Sequence, residues 1–254
     1  MSGIGIRSIA AVSVLALALA ACGDAEVEDI DYGSELETAT TDGEAAALAD
    51  SVEAGDFADL TLGAKIEGPQ GPEVTGMMAN AKGGWADIRS YVTCPAGMNP
   101  CDPATAPEGT IFTYVHVVIP GTDNDADTGD REGPDNNHVE SAEAFAMTSP
   151  AHGFTGNVGY SRAEALAAMG PAGEVVVTCE DGKLIWTLSA GDGGDQWEHK
   201  EPMTFWWQSI VPPAGPSEAY QILADGGAAN GTGPYPSGET GAANACLTGQ
   251  STPG

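Results

Sequence analysis

The sequence predicts a mainly β protein, an antiparallel β-sandwich with one or two short helices and flexible ends. Three observations lead there. An Asp181-Gly182 pair joins two alternating runs, EVVVTCE and KLIWTLS. Residues 110–119, TIFTYVHVVI, are dominated by β-branched and aromatic residues and end at Pro120-Gly121. Short runs of this kind recur between Gly/Pro breaks, while helix signatures are few, which is the rhythm of all-β domains.

Taken in chain order, residues 60–66 alternate, with Leu60, Leu62, Ala64 and Ile66 on one face, until Gly68-Pro69-Gln70-Gly71-Pro72 breaks the chain. Residues 77–81 and 85–93 supply further extended segments, and residues 110–119 form a strand by composition. A helix is expected at 162–169, where Ser161 stands three residues before Glu164, Leu166 and Met169 mark an apolar stripe, and Gly170-Pro171 closes the turn. The hairpin at 174–190 follows from its turn, because Asp-Gly accepts positive φ at both central positions. That turn sets Val177 opposite Trp186, Val175 opposite Leu188 and Cys179 opposite Leu184. All six side chains then share the core face. Residues 203–211, MTFWWQSIV, form another strand: Phe205, Trp207, Ser209 and Val211 take one face, and Thr204, Trp206, Gln208 and Ile210 the other. Pro212-Pro213 stops it, and residues 219–223 make the last strand.

The ends read differently. Residues 9–21, IAAVSVLALALAA, form an apolar run too short to span a bilayer, with the length of a signal-peptide core. It ends in Leu19-Ala20-Ala21-Cys22, which resembles the lipobox of bacterial lipoproteins. The resemblance implies cleavage before Cys22, lipid on its thiol and acylation of the new amino group. Several acyl chains anchor firmly, at about 0.8 kcal/mol per buried CH₂. Gly23 rather than an acid follows Cys22, so the receiving membrane stays open. The domain reading is therefore a signal peptide at 1–21, an acidic tether at 22–59, a folded body at 60–225, and a Gly/Ala/Asn-rich tail at 226–254 pinned at Cys246. Residues 23–59 carry thirteen acids and no Lys or Arg, and self-repulsion extends such a segment. Within it, Thr41-Asp42-Gly43-Glu44, Leu48, Val52 and Gly55 outline one short helix.

Export changes how the other cysteines read. Cys94, Cys101, Cys179 and Cys246 suggest two disulfides in an oxidising compartment, with three pairings allowed by sequence. Cys94 and Cys101 flank PAGMNP, which turns back on itself and favours a local bridge; 179–246 is then the long-range one. The run from TYVHVVIPG to TFWWQSIVPPAGP, over residues 110–223, resembles the immunoglobulin-like sandwich modules of secreted bacterial surface proteins. That resemblance rests on strand rhythm and implies architecture, not activity.

Charge excludes some functions. With 8 Lys+Arg against 37 Asp+Glu and a net charge of −29, the chain repels phosphate backbones and anionic lipid headgroups, so no nucleic acid partner is expected. Asp123, Asp125 and Asp127 match the first, third and fifth positions of an EF-hand-like calcium loop. Thr128 stands where glycine is needed and Pro134 where the bidentate acid is needed, with Asp130 or Glu132 as substitutes. A solvated acidic loop is the plainer reading; no cofactor is required, and calcium is the alternative. Trp206 and Trp197 are candidates for stacking on sugar rings if their indoles face solvent.

Catalytic signatures are lacking: there is no GxSxG elbow, no HExxH, and no phosphate loop with a lysine. His116 lies mid-strand, and His138, His152 and His199 lie in loops. The sequence therefore reads as a lipid-anchored bacterial cell-envelope protein, attached to a membrane outside the cytoplasm. Its expected role is a non-enzymatic binding or interaction module with an envelope protein or glycan partner. A carbohydrate-binding module using exposed tryptophans is the alternative, and a hydrolase comes third.

Overall fold

The computed structural model describes residues 51–121, 138–238 and 243–248. The described chain is mainly β. In order, it forms β1 (Ser51–Val52), β2 (Ala54–Asp56), a 3₁₀ turn (Phe57–Asp59), β3 (Leu62–Lys65), β4 (Val74–Asn80), β5 (Gly83–Pro95) and β6 (Phe112–Pro120). Next come β7 (Ala142–Met147), β8 (Phe154–Tyr160), α1 (Arg162–Met169), β9 (Glu174–Glu180) and β10 (Lys183–Ser189). The chain continues through β11 (Met203–Ser209), β12 (Pro213–Ala224), β13 (Gly227–Pro236) and α2 (Ala245–Thr248).

Where two packed antiparallel sheets are expected, the strands join in one continuous sheet. Its order is β1-β9-β10-β7-β12-β13-β4-β5-β6-β11-β8-β2, with β3 paired to β5 beside this path. The two end strands are separated in the chain by Glu53 alone, so the sheet is a nearly closed barrel. It is mixed, because β2 runs parallel to β8 while the other strand pairs are antiparallel. Closure removes the exposed edges that a sandwich retains.

The interior is filled, not hollow. Tyr114, Phe145, Trp186, Phe205, Trp207 and Tyr220 are all fully buried. Tyr114 stacks on Trp207 at 4.5 Å and Phe145 on Phe205 at 4.8 Å, the offset geometry that aromatic quadrupoles favour. The hairpin has the expected register, with Val177 opposite Trp186, Val175 opposite Leu188 and Cys179 opposite Leu184. Asp181 and Gly182 adopt φ of 50° and 77°, as a primed turn requires. Helix α1 spans the expected residues and is capped by Ser161, whose Oγ accepts from the Glu164 backbone at 3.3 Å. Its buried face is Ala165, Ala168 and Met169, while Leu166, expected in the apolar stripe, is 58% exposed.

Two sequence expectations are corrected. The short helix expected to end at Gly55 does not extend into the described residues: 51–52 and 54–56 are strands. Two sheet edges with unmet hydrogen bonds outweigh the weak local helix signals there. The stretch after Gly226, expected to be a tail, contains β13, which lies between β12 and β4 in mid-sheet. Its small residues are what neighbouring bulk demands. A Cβ on Gly231 would stand 2.8 Å from Met78, and one on Gly233 would stand 3.0 Å from Tyr220. Beyond it, α2 packs against β8 while Cys246 is bonded to Cys179 of β9. Both ends of the described chain therefore stitch the same seam.

Candidate functional site

The seam between β8 and β9 carries a group of polar contacts that tie the N-terminal segment to the barrel. Residues 54–56 run along β8, placing Ala54 beside Val158, Gly55 beside Gly159 and Asp56 beside Tyr160. A Cβ on Gly55 would lie 2.9 Å from the Trp206 ring, and one on Gly159 would lie 2.0 Å from the Gly55 carbonyl oxygen. Both positions need glycine so that two backbones and one indole can share the space. The Asp56 carboxylate accepts from the Ala58 backbone N–H, capping the 3₁₀ turn, and from the Arg162 backbone N–H at the start of α1, each at 3.2 Å. Arg162 Nη2 in turn donates to the Ala54 carbonyl at 3.0 Å.

Beside these contacts opens a cleft of about 420 Å³, with Glu53, Asp56, Asp59, Asn157 and Arg162 among its lining and Trp206 in its wall. Three carboxylates face one guanidinium, so the cleft favours donors and cations over anions. The Trp206 indole N–H is buried without a hydrogen-bond partner. A second cleft of about 390 Å³ lies between residues 64–70 and 99–104, beside the Cys94–Cys101 bridge.

The four histidines occupy three separate places. His116 is fully buried in the barrel, with Nδ1 2.9 Å from Ser90 Oγ and Nε2 accepting from Trp207 Nε1 at 3.3 Å. An indole N–H only donates, so Nε2 is the bare nitrogen and Nδ1 carries the proton, which it gives to Ser90. In this tautomer His116 does not act as a base toward Ser90, and burial lowers its pKa to about 3. His138 and His199 have ring centroids 4.7 Å apart. Burial first, then the neighbouring His138 and Lys200, lowers the His199 pKa, and its Nδ1 packs against Gly121 with no partner. His152 stands edge-on to Tyr235 at 5.9 Å. Among the described residues, no three His, Cys, Asp or Glu side chains are grouped to hold a metal ion.

Of the residues singled out from sequence, Cys22 and Asp123, Asp125, Asp127 and Asp130 lie outside the described residues. The two disulfides are Cys94–Cys101 and Cys179–Cys246, the favoured pairing. The tryptophans are a correction, because neither indole is available for stacking. Trp206 is 4% exposed, because its ring lies along the sheet against Gly159 of β8 and Gly55 of β2. Trp197 is fully buried, donates from Nε1 to the Glu201 carbonyl at 2.8 Å, and meets Phe205 edge-on at 5.6 Å.

The chain matches no protein-family profile, no curated protein and no solved structure. The seam residues Gly55, Asp56 and Arg162 had no distinguishing signal in the sequence. An Ala-Gly-Asp tripeptide reads as a turn or helix end, and only its partners across the barrel reveal its task.

Proposed function

We propose that the protein is a lipid-anchored module of the bacterial cell envelope that binds or organises a partner without chemical turnover. The observation that carries this reading is the cysteine arithmetic. Four of the five cysteines are consumed in two disulfides, bonds that form and persist in an oxidising compartment. Cys22 is thereby left as the one cysteine outside them, at the position the lipobox-like Leu19-Ala20-Ala21 assigns to lipid. The packed aromatic interior fits a rigid body that presents its surface. With Trp206 and Trp197 buried, a glycan partner would meet the polar clefts instead of an indole platform.

The test is Cys22→Ser in the full chain, expressed in a bacterial host. The expected result is release of a folded protein from the membrane fraction, with the same melting temperature and no lipid on its N-terminus by mass spectrometry. Continued membrane retention of the Ser variant would overturn the anchor.

A further inference from the structure

We propose that the seam is an exchangeable strand site, at which residues 51–56 of one copy leave their own β8 and β9 and pair with those of a second copy. The product is a strand-swapped homodimer. The position of the segment suits exchange, because it supplies both end strands of the sheet and its departure uncovers two edges at once. Each uncovered edge is a row of unpaired N–H and C=O groups, a template for an added strand.

The segment is held lightly compared with its neighbours. Two residues of β1 pair with β9 and three of β2 with β8, whereas β10 pairs with β9 over seven positions. Closing it also covers the Trp206 ring, whose N–H is buried without a hydrogen-bond partner. Opening need not dismantle the barrel. Further along the seam, α2 rests on β8 and is disulfide-bonded to β9 through Cys246, so those strands stay bridged when the N-terminal segment departs. Short, lightly held edge elements of this kind open locally at low free energy.

The groove also selects its occupant. It demands a residue without a Cβ above Trp206 and Gly159, and a carboxylate at the next position for the backbone N–H of Arg162. It gives the strand's first carbonyl a guanidinium donor from Arg162. The Ala54-Gly55-Asp56 of a second copy meets all three demands by identity, which is the low-cost logic of swapped dimers. The hinge is the 3₁₀ turn Phe57–Asp59, closed by Leu60 N–H donating to the Phe57 carbonyl at 3.2 Å.

The experiment deletes Phe57–Asp59 from the full chain, so that the segment no longer folds back onto its own β8. Light scattering is expected to show a doubled mass, with backbone amides of 158–160 as protected from hydrogen exchange as in the parent. A monomer with those amides unprotected overturns the proposal, and so does a dimer in which they are unprotected. Adding Gly55→Val to the deletion should return a monomer, because the new side chain strikes Trp206; a persistent dimer would count against the seam. Should the deletion fail to fold, the parent chain decides the matter. Labelled and unlabelled copies mixed at millimolar concentration should yield mixed dimers by native mass spectrometry, and their absence there refutes exchange.

Discussion

His116 is a titratable residue fully buried in the barrel. Tyr220 lies 4.1 Å from its ring and Phe145 5.5 Å, with Ser90 and Trp207 taking its two nitrogens. Burial holds its pKa at about 3, below the ordinary value of 6.5. The unfolded chain therefore binds this proton first. Above pH 6.5 both states are neutral at this residue and it adds no pH dependence. As the pH falls from 6.5 toward 3 the unfolded state is favoured, with a limiting slope of about 1.4 kcal/mol per pH unit. Urea unfolding at pH 7, 6 and 5 should show this decline. His116→Gln should be less stable at pH 7 and show a shallower decline; an equal slope in both proteins would mean His116 is not the group responsible. The sequence placed this histidine mid-strand. Its partners were not legible, because Ser90 and Trp207 reach it from strands 26 and 91 residues away.

Among the elements, the β9–β10 hairpin and the C-terminal helix behave as one unit. Asn244 Nδ2 donates to the Gly182 carbonyl at 2.8 Å, so α2 is seated on the hairpin's own turn. The Cys179–Cys246 bridge closes a separation of 67 residues. Replacing Cys246 by Ser should destabilise the protein by about 2–5 kcal/mol in urea. Hydrogen exchange should rise first at 244–247 and along β8 near Gly156, where Ala245 packs. A loss below the detection limit would mean that the backbone contacts of α2 suffice without the bond. The hairpin register was readable because an Asp-Gly turn and a two-residue period fix it within one contiguous stretch. The seam was not readable, because Val52 and Gly55 acquire their meaning only from β9 and β8.

For the whole molecule, a net charge of −29 opposes compaction through self-repulsion. Salt shortens the reach of that repulsion, from a Debye length of about 30 Å at 0.01 M to about 3 Å at 1 M. The melting temperature should rise with added sodium chloride, by about 2–4 °C for each kcal/mol of repulsion removed. A melting temperature indifferent to salt would show that the acids are too dispersed to destabilise the fold.

The amino-acid sequence by itself determined the mainly β class, the hairpin and its register, and helix α1. Each of these follows from turn chemistry, periodicity or proximity within a short span of chain. Only the tertiary structure decided that the strands close into one barrel, that residues 51–56 complete it, that β13 lies in mid-sheet and that Trp206 is covered. Those outcomes depend on which backbone edges still lack partners once the remaining strands have paired. That condition belongs to the assembled sheet, so no local stretch of sequence carries it.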